Sequence, residues 1–152
     1  LDEKSIAALQ RAAAQKPAVA TRALARAIEG REAIYAVFSA VAAGLPAPAN
    51  ALAVINETLA AALGRTRLAA GDRGFFWDID DDGTNLDRPL WSVMRTAAEL
   101  LTSDRRKQVR ECSGDACSWL FLDTSKNHSR LWCSMSGCGN RAKVRRHRAR
   151  QG

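Results

Sequence analysis

The chain has 152 residues, is 47% hydrophobic and carries a formal net charge of +7. That length and apolar content exclude a disordered tail and allow one core, or a core plus a small accessory module. No run of about 20 apolar residues is available to span a bilayer, and no signal-peptide pattern opens the chain. Leu1 is not a natural initiator and LDEKSIAAL reads as the opening of a helix, so further sequence is expected upstream.

Ala, Leu, Arg and Glu dominate the first hundred or so residues, and apolar residues recur at three and four, which predicts three or four helices. Ile6 and Leu9 mark a short first helix. Pro17 opens a long second one carrying Leu24, Ile28, Tyr35, Phe38 and Val41, ended by Gly44, Pro46 and Pro48. A third is expected from Ala49 to Leu63, with Leu52, Ile55, Leu59 and Leu63 as its buried stripe and Gly64 closing it. The stretch GFFWDIDDDGTN joins aromatic and β-branched residues to an Asp-Gly turn, which predicts a short hairpin there. Its acidic residues Asp78, Asp80, Asp81 and Asp82 lack the Glu that closes an EF-hand, so a solvated turn is expected rather than a calcium site. Trp77 and Trp91 could line a ligand pocket, but large aromatics in a helical domain are expected to fill its core. A fourth helix is read from Leu86 to Thr102, where Leu86, Leu90, Val93, Met94, Ala97, Leu100 and Leu101 hold the helical period.

The stretch SDRRK, starting at Ser103, marks the expected boundary between a helical domain, 1–103, and a second module, 104–152. The first part holds 11 Lys/Arg against 12 Asp/Glu and the second 12 against 4, so any anionic partner should meet the last third. All four cysteines also fall there, as C-x4-C-x15-C-x4-C at Cys112, Cys117, Cys133 and Cys138. Paired spacings in a cysteine-free background favour a metal site and a reducing compartment, so the cytoplasm is expected. Zinc takes four tetrahedral ligands, and two short loops facing each other supply them. WLFLD, TSKNHS and RLW read as strand, turn and returning strand between the two pairs. Four thiolates leave no open position, so the expected cofactor is one structural Zn²⁺. His128 falls in the turn and is not needed as a ligand. Two disulfides or four free thiols are the alternative.

After Cys138 the chain continues GNRAKVRRHRAR, a helix-compatible stretch with few apolar residues, whose circumference must face water or phosphate. Knuckle, hairpin, knuckle and helix together predict a treble-clef-like finger. The fold class expected for the whole is α+β, mainly α: a helical domain with a short hairpin, then the finger.

With those residues laid out, the C-terminal part resembles the bacterial CGNR-type zinc finger, whose name is the tetrapeptide Cys138, Gly139, Asn140 and Arg141. The likeness runs from ECSGDAC through LFLDTS and WCSM to the basic end. REAIYAVFSAVAAG and LDRPLWSVMRTAAELLTS are similar to the ABATE-type domain found before that finger, although the strand expected before its first helices does not occur here. The resemblance implies a stress-induced bacterial transcription regulator, with DNA binding by the finger and sensing or dimerisation by the helical domain.

Lys and Arg neutralise phosphates, while Arg or Asn reaching base edges would give specificity. The DNA-contact candidates are Arg141, Lys143, Arg145, Arg146 and Arg148, of which Arg141, Arg145 and Arg148 share a helical face. Asn140 is a further candidate, or else caps the knuckle. Arg105, Arg106, Lys107 and Arg110 add phosphate contacts from the linker, or are a solvated connector. The alternative function is a zinc-stabilised protein-interaction module anchored by Trp119 or Trp132, with oxidation of the cysteines as a redox sensor compatible with either. No nucleophile with a nearby base, phosphate loop or open metal site is found, so no enzyme is expected. A symmetric operator would require a homodimer, for which no heptads speak; no residue pattern specifies a small-molecule effector.

Overall fold

The computed structural model describes residues 2–80 and 82–151. It is mainly helical with two small hairpins, an α+β fold weighted to α. The helices are α1 (Glu3–Gln15), α2 (Pro17–Ala43), α3 (Ala49–Leu63), α4 (Arg88–Thr102) and α5 (Asn140–Arg148). The strands are β1 (Thr66–Gly71) with β2 (Gly74–Ile79), and β3 (Val109–Glu111) with β4 (Leu120–Leu122), each pair antiparallel. The chain forms two compact units. The first draws on residues up to Ile34 and on Ala49–Glu99; the second draws on Tyr35–Pro48 and on the chain from Leu100 onward.

In the first unit, Asp2 caps α1 by accepting from Ser5 N at 2.8 Å, and Lys16 breaks the helix before Pro17, which has no N–H to continue it. The buried positions of α2 here are small: Ala23, Gly30 and Ala33. Leu24 and Ile28, the large residues that mark the helix in the sequence, are substantially exposed. Close approach explains the choice. A Cβ on Gly30 would lie 2.5 Å from Met94 Cε and 3.0 Å from Leu90 Cδ1, so α4 packs onto a face that only small residues leave open. Met94 is fully buried, with Leu90, Trp91 and Ala97 around it on the α4 face.

α3 has the bounds expected, but its buried residues are Ala51, Ile55 and Ala62. Leu52 and Leu59 are half-buried, and Leu63, expected in the stripe, is exposed. The first hairpin also departs from expectation. GFFWDI is its second strand, its first strand is TRLAAG, and the chain reverses at Asp72 and Arg73 rather than at Asp82-Gly83. Asp82 instead accepts from Thr84 N and Oγ1 (3.0 and 2.6 Å) in a side-chain-closed turn before α4, which starts at Arg88 rather than Leu86. Asp78 and Asp80 both pair with Arg67, at 3.0 and 3.2 Å; Asp81 lies outside the described residues. Trp91 is in the core as expected, whereas Trp77, on the two-stranded hairpin, is 60% exposed.

The second unit contains the end of α2, the second hairpin and α5. A 3₁₀ turn over Asp104–Gln108 leads into β3. Tyr35 donates from its hydroxyl to Ser118 O at 3.1 Å, and Ser39, one turn further along α2, lies 3.3 Å from Glu111 Oε2. Residues of the long helix thus hold the cysteine-bearing segment.

Candidate metal centre and its basic helix

Cys112 follows β3 directly, and its N–H donates to Trp119 O at 2.9 Å, so the strand pair closes a loop around the first cysteine pair. This corrects the expected arrangement. LFL pairs with VRE before Cys112, not with RLW after the turn, and RLW is joined instead through Ser113 N to Leu131 O at 2.9 Å. Cys117 N bonds Gly114 O at 3.0 Å, with Ala116 in the left-handed region at φ 55°, which closes the first knuckle. Gly114 suits the close approach here: a Cβ there would sit 3.2 Å from Cys138 Sγ and 3.4 Å from Cys117 Cβ, pressing on the cysteine cluster.

The second knuckle is one wide turn, Met135–Gly139, which runs straight into α5. Ser134 caps it, with Oγ accepting from Gly137 N at 3.3 Å and its carbonyl from Gly139 N at 3.0 Å. The sequence segment between the knuckles is ordered by a group that sequence reasoning passed over. Asp123 is fully buried and accepts from Ser125 N and Oγ (2.9 and 2.6 Å) and from Arg130 N (3.0 Å). Those donors, led by the Ser125 hydroxyl, hold its carboxyl below the usual carboxylate range. Arg130 then lies over the Phe121 ring at 4.6 Å and donates to Trp132 O at 2.8 Å and to Cys133 O. The Asp-x-Ser spacing, typical of an Asx turn, was the available signal. His128 Nδ1 meets Asp123 O at 3.1 Å and takes no part in the cysteine cluster.

The four Sγ atoms lie within 4.8 Å of one another, with 3.8 Å from Cys133 to both Cys117 and Cys138. A tetrahedron with metal–sulfur arms of about 2.3 Å has edges of roughly 3.8 Å, whereas a disulfide needs about 2.05 Å. All four cysteines are free thiols, and among the described residues theirs is the one group of ligating side chains gathered closely enough for a metal ion. Sulfur-only donors suit zinc, and four of them leave no corner for water, so the site is structural and holds one Zn²⁺. N–H donors face the sulfurs as well: Cys133 N to Cys112 Sγ and Arg141 Nη2 to Cys138 Sγ, each 3.3 Å. Such outer contacts orient ligands and stabilise thiolate charge.

The thiols are not equivalent. Burial acts to raise the Cys112 pKa, but N–H groups of Cys133 and Gly114 outweigh it and bring it down to about 7. Burial and the neighbouring thiols push Cys133 up to about 12. Zinc must displace the protons these groups hold, so its affinity is lost as pH falls. Competition with a chelator from about pH 8 to pH 6 should show a loss of at least tenfold per unit; a flat profile would contradict thiolate ligation.

Residues 108–151 match the model of the CGNR zinc finger, and residues 3–104 match that of ABATE, described as "Putative stress-induced transcription regulator". The chain belongs to the ABATE family. No curated protein matches it. Among the described residues of this ABATE protein, no helix is long and apolar enough to cross a membrane.

The basic residues of the ABATE protein fall into two groups. On α5, which has no buried residue, Arg141 is turned onto Cys138 Sγ and Arg145 makes an ion pair with Asp115 of the first knuckle. Asn140 Nδ2 reaches Ser136 O at 3.3 Å, spanning the knuckle turn. Arg148 is exposed on the same side as Arg141, Val144 and Arg145, where these residues border a shallow concavity with Ser136. Lys143, Arg146, His147 and Arg150 form a second face with the same helical spacing. In the linker, Lys107 pairs with Asp104 at 3.2 Å, Arg106 donates to Ser103 O at 2.9 Å, and Arg110 to Lys107 O at 2.8 Å; Arg105 is exposed.

Proposed function

We propose that this protein is a zinc-dependent DNA-binding regulator of transcription in the bacterial cytoplasm, serving a stress response, with no enzymatic activity. The observation that carries the reading is α5: a helix fixed at its first turn to the metal site and exposed along its length. No Asp or Glu occurs after Asp123, so the helix cannot neutralise itself with i,i+4 pairs as an ordinary solvated charged helix does. An external anion is the remaining partner. The family description as a transcription regulator supports DNA as that anion.

An α-helix is about 10–12 Å across with its side chains, which the major groove, about 12 Å wide, admits. Lys143, Arg146 and Arg150 would meet phosphates, and Arg148 with the Val144 side would face base edges. Arg145 would join them once released from Asp115. A surface ion pair contributes up to about 1 kcal/mol, so Asp115→Asn should leave folding nearly unchanged and tighten duplex binding by up to roughly fivefold. Unchanged or weaker binding of that variant, read by fluorescence anisotropy, would remove Arg145 from the interface.

The reading is tested by titrating the zinc-loaded chain with duplex DNA across a salt series. Affinity should fall steeply, with a log–log slope of about −0.9 for each phosphate neutralised. A second reading, protein docking, rests on Trp119, 72% exposed beside Cys117, with Leu131 and Met135 also exposed. It would be favoured by absence of duplex binding at low salt. Oxidation of the thiols with release of zinc would switch either activity off.

A further inference from the structure

The first unit contains a cavity of about 270 Å³, open on one side, that the finger's chemistry does not use. α3 contributes Leu59 and Ala62, β2 contributes Trp77 and Ile79, and α4 contributes Trp91 and Arg95. Trp91 is buried and Trp77 stands exposed on the hairpin, so one indole is fixed in the core and the other is accessible to a ligand. The polar side chains of Ser5, Thr66 and Ser92 line it as well, so apolar and polar groups share the wall, as a site for a small amphiphilic molecule requires. The size is at the low end of the ~300–1,000 Å³ range for such sites and excludes a nucleotide.

Arg95 supplies the polar group. Its Nε is shut off from solvent and has no hydrogen-bond partner; the nearest carboxylate oxygen, Glu99 Oε1, is 3.5 Å away and misaligned. Nε faces Glu99 away from solvent, while the side chain as a whole is 41% exposed, so the outer end of the guanidinium is open to an acceptor entering the cavity. Arg88, two turns earlier on the same helix face, also lines the space. The acids in the lining are already engaged: Asp2 caps α1, and Asp78 is bonded to Arg67 at 3.0 Å, an arrangement that holds its carboxyl below the usual range. The cavity therefore presents a guanidinium fork beside two indoles.

We propose that this cavity binds a small aromatic carboxylate, its ring against Trp77 and Trp91 and its carboxylate on Arg95. A single planar fork matches one carboxylate, which accepts two parallel N–H bonds, and the indoles match an aromatic ring. The site is independent of the finger and of what α5 binds.

Calorimetric titration of the full zinc-loaded chain with benzoate and with indole-3-acetate tests it, alongside octanoate and inorganic phosphate. One aromatic acid at least should bind saturably at one site per chain. Arg95→Met and Trp77→Ala should each weaken it by about tenfold or more with the thermal transition unchanged; Trp77 is exposed enough for its variant to fold. Arg95→Lys, which keeps the charge and loses the fork, should fail to restore affinity. No saturable binding up to about 10 mM, binding unaltered in both variants, or octanoate or phosphate binding as tightly as the aromatic acids would overturn the proposal.

Discussion

Cys138→Ser should abolish stoichiometric zinc binding and unfold the chain from Asp104 onward while leaving the helices before it in place. Cys138 is buried, its sulfur accepts from Arg141, and its position at the start of α5 joins metal to helix. Serine keeps the volume but offers a hydroxyl that stays protonated, so one tetrahedral corner and one anion disappear together. The loss is large because little else holds this segment. Among the described residues from Asp104 onward, the buried ones are Val109, Cys112, Asp123, Cys138 and Gly139, two of them metal ligands. Structural zinc contributes folding free energy of about 10–16 kcal/mol in small fingers, far more than so few apolar contacts can replace. Hydrogen exchange should show Cys112 N, Asp123 N and the β3–β4 amides losing protection, while Met94 and its neighbours on α4 keep theirs. Retention of one zinc per chain with native protection would exclude Cys138 as a ligand.

The second large effect is expected on α5. Replacing Lys143, Arg146 and Arg150 together by alanine should reduce the slope of log affinity against log salt by about 3, one for each lost phosphate contact. None of the three is engaged by an acid among the described residues, and all are exposed, so zinc content and thermal stability should stay as in the parent protein. The affinity lost should be uniform across duplex sequences. Arg148→Ala, by contrast, should weaken binding unequally among sequences, because that side chain lies on the other face with Val144. A triple variant with an unchanged salt slope would place the duplex elsewhere.

Much of this was legible in the sequence where local chemistry decides. Pro46, Pro48 and Gly64 bracket α3, and the paired cysteines declare their cluster because metal geometry ties spacing to structure. What escaped depends on distant partners. TRLAAG has no aromatic and only one β-branched residue, Thr66, to announce a strand, so the Asp-Gly pair downstream claimed the turn that Asp72 and Arg73 make. α2 buries Gly30 because Leu90 and Met94 of α4 come close, and no periodicity of large residues shows that. β4 pairs with VRE rather than RLW, and the charged Arg110 and Glu111 gave VRE less of a strand signature than RLW has. Arg141 and Arg145 share a face with Arg148 as their spacing requires, yet Cys138 and Asp115 engage the first two. Asp115 is 30 residues from Arg145, beyond any local rule.

The central claim, that zinc builds the surface that binds DNA, is tested most directly by one anisotropy titration. A labelled duplex would be titrated with the zinc-loaded chain, with the chain stripped by a chelator, and with the stripped chain resupplied with one equivalent of zinc. The account predicts salt-dependent binding when loaded, its loss on stripping and its return with zinc. Equal binding by the loaded and stripped chains, or none by the loaded chain at low salt, would contradict it.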